Sequence, residues 1–186
     1  MSPRSDTRQR FLDAATDLFH RQGYHATGLN QLVGAGGAPK GSFYFHFPGG
    51  KEQLAAEAVT QSGEQMRDML TALLAEGGIP AVIEGLVAIV EESDYQRGCP
   101  LANIALDTPD IPVVQDACAG QLTSWRAAIT DYLTGRAVEP ARAEQLSTLV
   151  LASIEGALLL AKTWRDATPV RSIGAYLTET LNKEIP

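Results

Sequence analysis

Residues 27–51 constrain the fold more than any other part of the chain, because their pattern predicts two short helices separated by a glycine-rich turn. Thr27 is a favourable N-cap for the first helix, which the glycines of residues 34–37 then end. The second helix is predicted to begin near Pro39, since proline suits the first turn of a helix, and to end before Pro48. This spacing is typical of a helix-turn-helix motif.

The remainder of the chain predicts helices and no strand, because no stretch alternates apolar and polar residues convincingly. One helix is expected before the motif, ending at Gly23. A long helix is expected after it, from Lys51 to residue 75, and spans ~37 Å at the usual helical rise. Further helices are predicted over residues 80–92, 101–106, 113–134, 140–165 and 171–182. The predicted fold is therefore all-α, with about nine helices.

The net charge of −7 argues against a polyanionic partner for the chain as a whole, but the charge is unevenly distributed. Residues 1–53 carry six basic and four acidic side chains, whereas residues 54–186 carry nine basic and 18 acidic ones. A mildly basic end on an acidic body fits a protein that touches phosphate with one end only. So small a basic excess indicates DNA only because the helix-turn-helix pattern lies in the same segment.

Several classes of site find no support in the composition. Cys99 and Cys118 are expected to be reduced packing residues, since the first residues lack the apolar region of a secretory signal. The three histidines have no metal-ligand spacing, so no metal and no cofactor are predicted. No uninterrupted apolar run approaches the ~20 residues that cross a bilayer, so we expect a cytoplasmic protein without a membrane partner.

Residues of the motif have side chains suited to DNA, and the candidates are Thr27, Lys40, Gly41, Ser42, Tyr44, Phe45, His46 and Lys51. Lys40 and Ser42 can bond to base edges or phosphates, and Gly41 allows close approach of the backbone. Phe45 can touch a thymine methyl group, while the tyrosine and the histidine present polar tips to phosphates. Thr27 and Lys51 each lie at a predicted helix start, where N-terminal amides can hold a phosphate.

The aromatic residues of the second helix have competing interpretations. Phe45 belongs either to a core or to the DNA-facing surface. Tyr44 is expected on the surface because Phe43 beside it points inward, the alternative being a buried ring with a bonded hydroxyl. The predicted core of the three N-terminal helices consists of Phe11, Leu18, Phe19, Leu32, Val33, Phe43 and Phe47.

The segment G-A-P-K-G-S-F-Y-F-H-F-P-G-G-K-E-Q-L resembles the G-V-S-K-G-T-L-Y-Y-H-F-x-x-K-E-E-L signature of the tetracycline-repressor (TetR) family of bacterial transcription regulators. The resemblance covers residues 8–55. It implies a DNA-binding domain over residues 1–50, a ligand-binding and dimerisation domain over residues 51–186, and a homodimer on a palindromic operator in double-stranded DNA. Two departures are visible: Pro39 replaces a common serine, and F-P-G-G-K has one residue more than usual before Lys51.

Carried over position by position, the resemblance implies base-region contacts for Lys40, Ser42 and Phe45, and phosphate contacts for Thr27, Tyr44, His46 and Lys51. The stretches F-P-G-G-K-E-Q-L, G-C-P-L-A-N-I-A-L-D and I-E-G-A-L-L-L-A-K are similar to a subgroup of multidrug-efflux repressors (LmrA/YxaF-like). Because members of that subgroup respond to flavonoid-like compounds, a small hydrophobic or aromatic effector is expected to release a repressor from its operator.

A cavity between helices of the body is expected to hold the effector, with an apolar lining and a few polar anchors. Its predicted lining is Met66, Met69, Leu73, Leu101, Ile104, Leu122, Trp125 and Trp164, and its predicted anchors are Asn103, Gln121 and Glu155. Methionine and tryptophan at helical spacing are also ordinary core residues. Glu155 is alternatively a paired carboxylate at an interface.

The helix over residues 140–165 is apolar on nearly all sides, which predicts packing partners on two sides and hence a subunit interface. The homodimer is expected to form through this helix and the last one, over residues 171–182. The predicted interface residues are Leu146, Val150, Ile154, Leu158, Ile173 and Leu177.

Two other classes of function remain open beside the ligand-responsive regulator. An enzyme would use Cys99, Cys118 or Glu155, but none of them has a paired base in a readable motif, so no catalysis is predicted. A helical adaptor would use the motif to bind protein, or to bind DNA without sequence preference and without a small-molecule ligand.

Overall fold

The computed structural model describes residues 3–185, and every regular element in that range is a helix. This confirms the predicted all-α class. The helices, in chain order, are α1 (Pro3–Gln22), α2 (Leu29–Ala35), α3 (Lys40–His46), α4 (Gly50–Glu92), α5 (Ala102–Asp107), α6 (Pro112–Thr134), α7 (Pro140–Trp164) and α8 (Thr168–Asn182).

Helix α4 contains the break that the sequence predicts between two helices. Gly78 has φ 66° and ψ −152°, which is not helical, and Pro80 follows in the second part of the element. A Cβ atom on Gly78 would lie 2.5 Å from the Tyr132 hydroxyl oxygen, so the positive φ and the close approach both require glycine. With the two parts of α4 counted separately, residues 3–185 contain nine helices, in agreement with the expected number.

The chain forms two compact units, neither of which is continuous in sequence. The first comprises Met1–Glu64 and Pro100–Gln121, and the second comprises Gln65–Cys99 and Leu122–Pro186. Helices α4 and α6 therefore each contribute residues to both units. The functional boundary expected after residue 50 does not coincide with this division and stays a prediction.

Aromatic rings from α1, α3 and the residue that follows α3 form the centre of the first unit. The ring of Phe11 meets the rings of Phe43 and Phe47 edge-on, at centroid distances of 5.5 and 6.1 Å. None of the three has any exposed surface. These residues were predicted to be core, and the structure confirms it.

The other predicted members of this core divide into two groups. Phe19 and Leu32 are fully buried. Leu18 and Val33 are only half-buried, because the adjacent Phe19 and Leu32 occupy the inward position of the same helical turn. Leu18 and Val33 therefore contribute to this core only in part.

The second unit is built around α7 and α8, which pack against each other. Glu139 caps α7 by accepting a hydrogen bond of 2.9 Å from the Arg142 backbone N–H group. Helix α8 also approaches the second part of α4, where a Cβ on Gly174 would lie 2.6 Å from side-chain atoms of Ile83. Both helices therefore bury one side within the same chain.

Two helices are long and apolar enough to cross a membrane by length and composition alone, although neither is an unbroken apolar run. Their best windows have mean hydropathies of 1.8 in α4 and 1.4 in α7. Such windows tolerate a few charges, which an unbroken run does not. Core helices of globular proteins reach the same values, and 44% and 39% of these windows are buried in the fold. The absence of a membrane partner stays a prediction.

Candidate nucleic-acid interface

Two short helices and a tight turn form the helix-turn-helix that the sequence predicts. Helices α2 and α3 have seven residues each. Gly36 closes α2, with its N–H group bonded to the Leu32 carbonyl at 2.9 Å. Pro39 is the N-cap of α3, and its carbonyl accepts hydrogen bonds of 2.9 and 3.2 Å from the N–H groups of Ser42 and Phe43.

Thr27 does not have the role that the sequence suggests. The N-cap of α2 is Gly28, and no side chain caps this helix. Thr27 has no exposed surface, and its hydroxyl donates a 2.7 Å hydrogen bond to the Gly23 carbonyl and accepts one of 3.1 Å from Gln22. Its oxygen fixes the turn between α1 and α2 from inside. The predicted N-cap role is therefore wrong, whereas the phosphate contact stays a prediction that would use a backbone amide and not the buried hydroxyl.

Helix α3 buries one side and presents the other to solvent. Phe43 is fully buried, whereas Tyr44 is 46% exposed and Phe45 is 68% exposed. The expected surface position of Tyr44 is confirmed, and Phe45, which the sequence left open, lies on the surface. A phenylalanine exposed to this extent is uncommon, because phenylalanine is among the residues most often buried.

The predicted base-contacting and backbone-approach residues lie on the same short helix. Lys40 and Gly41 are exposed, and Ser42 and His46 are half-buried. A Cβ atom built on Gly41 would meet nothing within 4 Å, so the fold of the chain does not require glycine there. An open position of this kind at the start of α3 is where close approach of DNA would require a residue without a side chain.

Lys51 is engaged inside the first unit. Its ammonium donates a 2.7 Å hydrogen bond to the Tyr24 carbonyl and lies 3.9 Å from the centroid of the Tyr24 ring. Burial lowers the pKa of Lys51 below its usual value. The predicted phosphate contact stays a prediction, and it would use the ammonium protons that Tyr24 leaves available.

The predicted effector pocket is divided between the two compact units. Leu101, Asn103, Ile104 and Gln121 belong to the first, and the other seven residues belong to the second. Leu101, Ile104 and Trp125 are buried in the fold. The half-buried members are Met66, Met69, Leu73, Asn103, Gln121, Leu122 and Glu155.

Three of these pocket residues have surroundings that the sequence did not indicate. Trp164 is 63% exposed at the end of α7, so it does not line a cavity of this chain. The Asn103 side-chain amide donates a 3.3 Å hydrogen bond to the His20 carbonyl and thus ties α5 to α1. The Gln121 Oε1 atom is buried and has no hydrogen-bond partner, so it remains a candidate anchor for a donor group of a ligand.

Glu155 and Cys118 lie in environments that favour their neutral forms. Burial raises the pKa of Glu155, and a hydrogen bond from Cys99 opposes that rise only in part. Burial raises the pKa of Cys118 to about 11, so its thiol stays protonated near neutral pH. A protonated, buried thiol is the unreactive form of cysteine, and it gives no support to an enzyme that uses Cys118 as a nucleophile.

The second unit contains an open groove of about 440 Å³ between α4 and α6. Small and polar residues line much of it, and Arg67 and Arg136 contribute guanidinium groups. The Arg136 guanidinium stacks 3.7 Å from the centroid of the Tyr132 ring. None of the eleven predicted pocket residues lines this groove. Within the described residues, no group of three metal-ligating side chains occurs.

The predicted dimer-interface residues are mostly internal to one chain. Leu146, Val150, Ile154, Leu158 and Leu177 are at most 7% exposed, and Ile173 is half-buried. These residues hold α7 and α8 within their own unit, so the assignment of the five buried ones to an interface is wrong. The apolar residues that face outward from the same helices are Leu149, Leu159, Leu160, Trp164 and Tyr176.

The second helix of the motif exposes a lysine, an open glycine and two aromatic rings. These features are typical of a DNA-binding protein of the helix-turn-helix class. Residues 11–58 match the model of bacterial regulatory proteins of the tetR family, and residues 75–176 match that of the LmrA/YxaF-like transcriptional regulator C-terminal domain. The chain belongs to the TetR family and is a transcriptional regulator with a helix-turn-helix DNA-binding domain.

Relatives of known sequence and structure agree with this assignment along nearly the whole chain. The transcriptional regulator LmrA of Bacillus subtilis is 37% identical over 96% of this chain and 98% of its own. The uncharacterised regulator YxaF of the same organism is 35% identical over 99% of this chain and its full length. The crystal structure of SCO4454, a TetR-family regulator from Streptomyces coelicolor, superimposes with a TM-score of 0.83 at 21% identity, covering 98% and 97% of the two chains.

Proposed function

We propose that this protein is a homodimeric repressor that binds a palindromic operator and is released from it by a small hydrophobic or aromatic effector. The observation that carries the proposal is the outer face of α3, where Phe45 is 68% exposed beside Tyr44 and the open Gly41. A face that combines an exposed aromatic ring with a lysine and an open glycine suits a partner outside the chain. A major groove supplies one, because it presents thymine methyl groups and base edges beside a row of phosphates.

The polar members of α3 would divide between bases and phosphates. Lys40 and Ser42, in the first turn, are placed for base edges or adjacent phosphates, and Phe45 for a thymine methyl group. Tyr44 and His46 would bond phosphates and set the register of the helix. The small positive charge of residues 1–53 would favour this end of the molecule over the acidic remainder.

Dimerisation is supported by the outward side of α7 and α8. Leu149, Leu160 and Trp164 are exposed on α7, and Tyr176 is exposed on α8. Gly156 lies on the exposed side of α7 too, and a Cβ there would meet nothing within 4 Å, which leaves room for a partner helix. A surface that pairs with its own copy about a two-fold axis would match the two-fold symmetry of a palindrome.

The effector proposal is supported by half-buried apolar side chains and by one unsatisfied polar atom. Met66, Met69 and Leu73 on α4 are half-buried and adaptable in shape. Gln121 contributes an oxygen without a partner. In the second unit, such side chains suit a small hydrophobic or aromatic molecule, and in the first unit the Gln121 oxygen suits a donor group of a ligand.

The test is protection of the DNA that flanks the protein's own gene. The proposal predicts a protected palindrome at moderate salt, and affinity for it about 1,000-fold or more above that for random duplex. Simultaneous Lys40→Ala and Tyr44→Ala should abolish protection while helicity is retained. Lys183→Ala is the control for loss of a lysine, since it removes an exposed lysine from the end of α8.

Two outcomes would contradict the proposal. The absence of any protected palindrome would remove the basis for a sequence-specific repressor. Equal affinity for every duplex would identify a DNA-binding protein without sequence preference, the alternative that the sequence left open.

A further inference from the structure

The backbone of Tyr24, in the turn between α1 and α2, is held from two sides. Its N–H group donates a hydrogen bond of 3.0 Å to the carboxylate of Asp107 at the end of α5. Its carbonyl accepts the 2.7 Å hydrogen bond from the Lys51 ammonium at the start of α4. One residue of the turn therefore joins α5 to α4.

Two further features fit α5 to the end of α1. Gly23 has φ 83°, and a Cβ there would lie 2.3 Å from the Asp107 Oδ2 atom, so only glycine lets the carboxylate reach Tyr24. Asn103 bonds the carbonyl of His20 from the same helix α5. Side chains of α5 thus satisfy backbone groups at the C-terminal end of α1 and in the turn that follows it.

Helix α5 is itself fixed by α6. The Gln115 side-chain amide donates hydrogen bonds to the carbonyls of Ala105 and Thr108, at 2.6 and 3.0 Å. Thr108 has no exposed surface, and its hydroxyl donates a 2.8 Å hydrogen bond to the Ile104 carbonyl. Within the first unit, a series of hydrogen bonds therefore leads from α6 through α5 to the turn before α2.

We infer that Asp107 is a positioning residue for DNA recognition, because its hydrogen bond to Tyr24 fixes the helix-turn-helix on α5 and thereby sets the direction in which α3 faces DNA. Asp107 itself touches no DNA in this role. The inference rests on the proposed function, since the direction of α3 matters most where the two helix-turn-helix motifs of a dimer must meet two half-sites at one spacing.

Loss of the Asp107 carboxylate should loosen the attachment of the helix-turn-helix to α5 without unfolding the motif. The Tyr24 N–H group would lose a charged acceptor, which makes one of the stronger kinds of hydrogen bond. The aromatic core of Phe11, Phe43 and Phe47 involves none of the atoms removed. If the helix-turn-helix is free to tilt, fewer dimers have both recognition helices at the spacing of the operator half-sites.

The experiment compares Asp107→Ala with the wild-type protein on two DNA probes. One is the palindrome that the wild-type protein selects from a library of random duplexes, and the other is the same duplex with one half-site scrambled. Affinity for the palindrome should fall about tenfold, while affinity for the single half-site should change less than about twofold. A merely structural role would not separate the two probes, because a partly unfolded helix-turn-helix loses affinity for both.

The matched control is Asp110→Ala, which removes the same charge from an exposed position just after α5. It should leave both affinities unchanged. Equal loss on both probes by Asp107→Ala, or loss on neither, would overturn the inference while the proposed function stands. A wild-type protein that selects no palindrome would overturn the proposed function and this inference together.

Circular dichroism first establishes whether Asp107→Ala is folded. If it is not, Asp107→Asn takes its place, because asparagine keeps the shape and one acceptor oxygen but lacks the charge. Its affinity for the palindrome should fall about threefold relative to Asp110→Asn, with the half-site affinity unchanged. No difference from that control would equally overturn the inference.

Discussion

Two groups of exposed apolar residues within residues 3–185, one on α3 and one on α7 and α8, differ in the residues that surround them. On α3, Tyr44 and Phe45 lie beside an exposed lysine and an open glycine. On α7 and α8 the exposed apolar residues are more numerous, and leucines lie among aromatic rings: Leu149, Leu159, Leu160, Trp164 and Tyr176. A cation beside aromatic rings suits a polyanion, whereas a larger apolar surface suits a second copy of the chain.

The largest expected effect comes from the two sides of α3. Phe43→Ala removes a ring with no exposed surface and should lower the free energy of unfolding by about 3–5 kcal/mol. Phe45→Ala removes a ring that is 68% exposed and should change it by less than about 0.5 kcal/mol. Urea unfolding followed by circular dichroism measures both. Similar losses for the two variants would show that α3 does not have the inner and outer sides described.

The next effect concerns the surface on α7 and α8. Trp164→Ala should weaken the dimer about 30-fold, as expected for a large aromatic residue that anchors an interface. Sedimentation over a range of protein concentrations measures the dissociation constant. Leu106→Ala is the control, because Leu106 is 80% exposed but lies on α5 in the other unit. A weaker dimer with Leu106→Ala and an unchanged one with Trp164→Ala would place the interface elsewhere.

A smaller effect separates fold from DNA contact at Gly41. Gly41→Ala should raise stability by up to about 1 kcal/mol, since alanine favours a helix and its Cβ meets nothing. It should nevertheless weaken binding to the operator, where the added methyl group would meet DNA. Gly120→Ala, on α6, is matched to it, because a Cβ there also meets nothing. If both variants bind the operator as the wild-type protein does, the backbone of α3 does not approach DNA closely.

The smallest effect is the pH dependence of folding stability that Glu155, half-buried on α7, contributes. Burial raises the pKa of Glu155 above its ordinary value of 4.5, so the folded state holds this proton more tightly than the unfolded state. The contribution to stability is complete below pH 4.5 and is lost as the pH rises through the raised value.

Glu155→Gln removes that loss. The variant should therefore gain stability relative to the wild-type protein as the pH rises from 4.5 toward neutrality, measured by urea unfolding at several pH values. A difference that is constant with pH, or that shrinks, would mean that the Glu155 carboxyl is not desolvated inside the unit.

The contrast between α3 and α7 also explains what the sequence could predict. In α3 the order of residues fixed the helix phase, because Phe43 had to join the aromatic core and Tyr44 beside it then had to face outward. In α7 apolar residues occur on nearly all sides of the helix, so the sequence does not indicate which side faces the core. Leu146 was therefore assigned to an interface, although it is buried in its own chain. The all-α class and the glycine-rich turn rest on local signals and were predicted correctly.

Long-range contacts explain the remaining errors. Thr27 is a good N-cap by residue type, but its hydroxyl is used by Gly23 and Gln22, and Gly28 takes the cap position. Asp107 bonds Tyr24 across 83 residues of sequence, and nothing in one sequence indicates that pair. Asn103 was predicted as a ligand anchor, but it bonds the backbone of α1 for the same kind of reason.

The most direct test of the central claim is the affinity of Phe45→Ala for the selected palindrome and for a random duplex of the same length. If the outer face of α3 reads the operator, affinity for the palindrome should fall about tenfold, within the range for loss of one specific contact. Affinity for random duplex and the thermal midpoint should stay at the wild-type values, because no charge and no core residue is removed. An unchanged affinity for the palindrome would contradict the assignment of α3 as the helix that reads DNA.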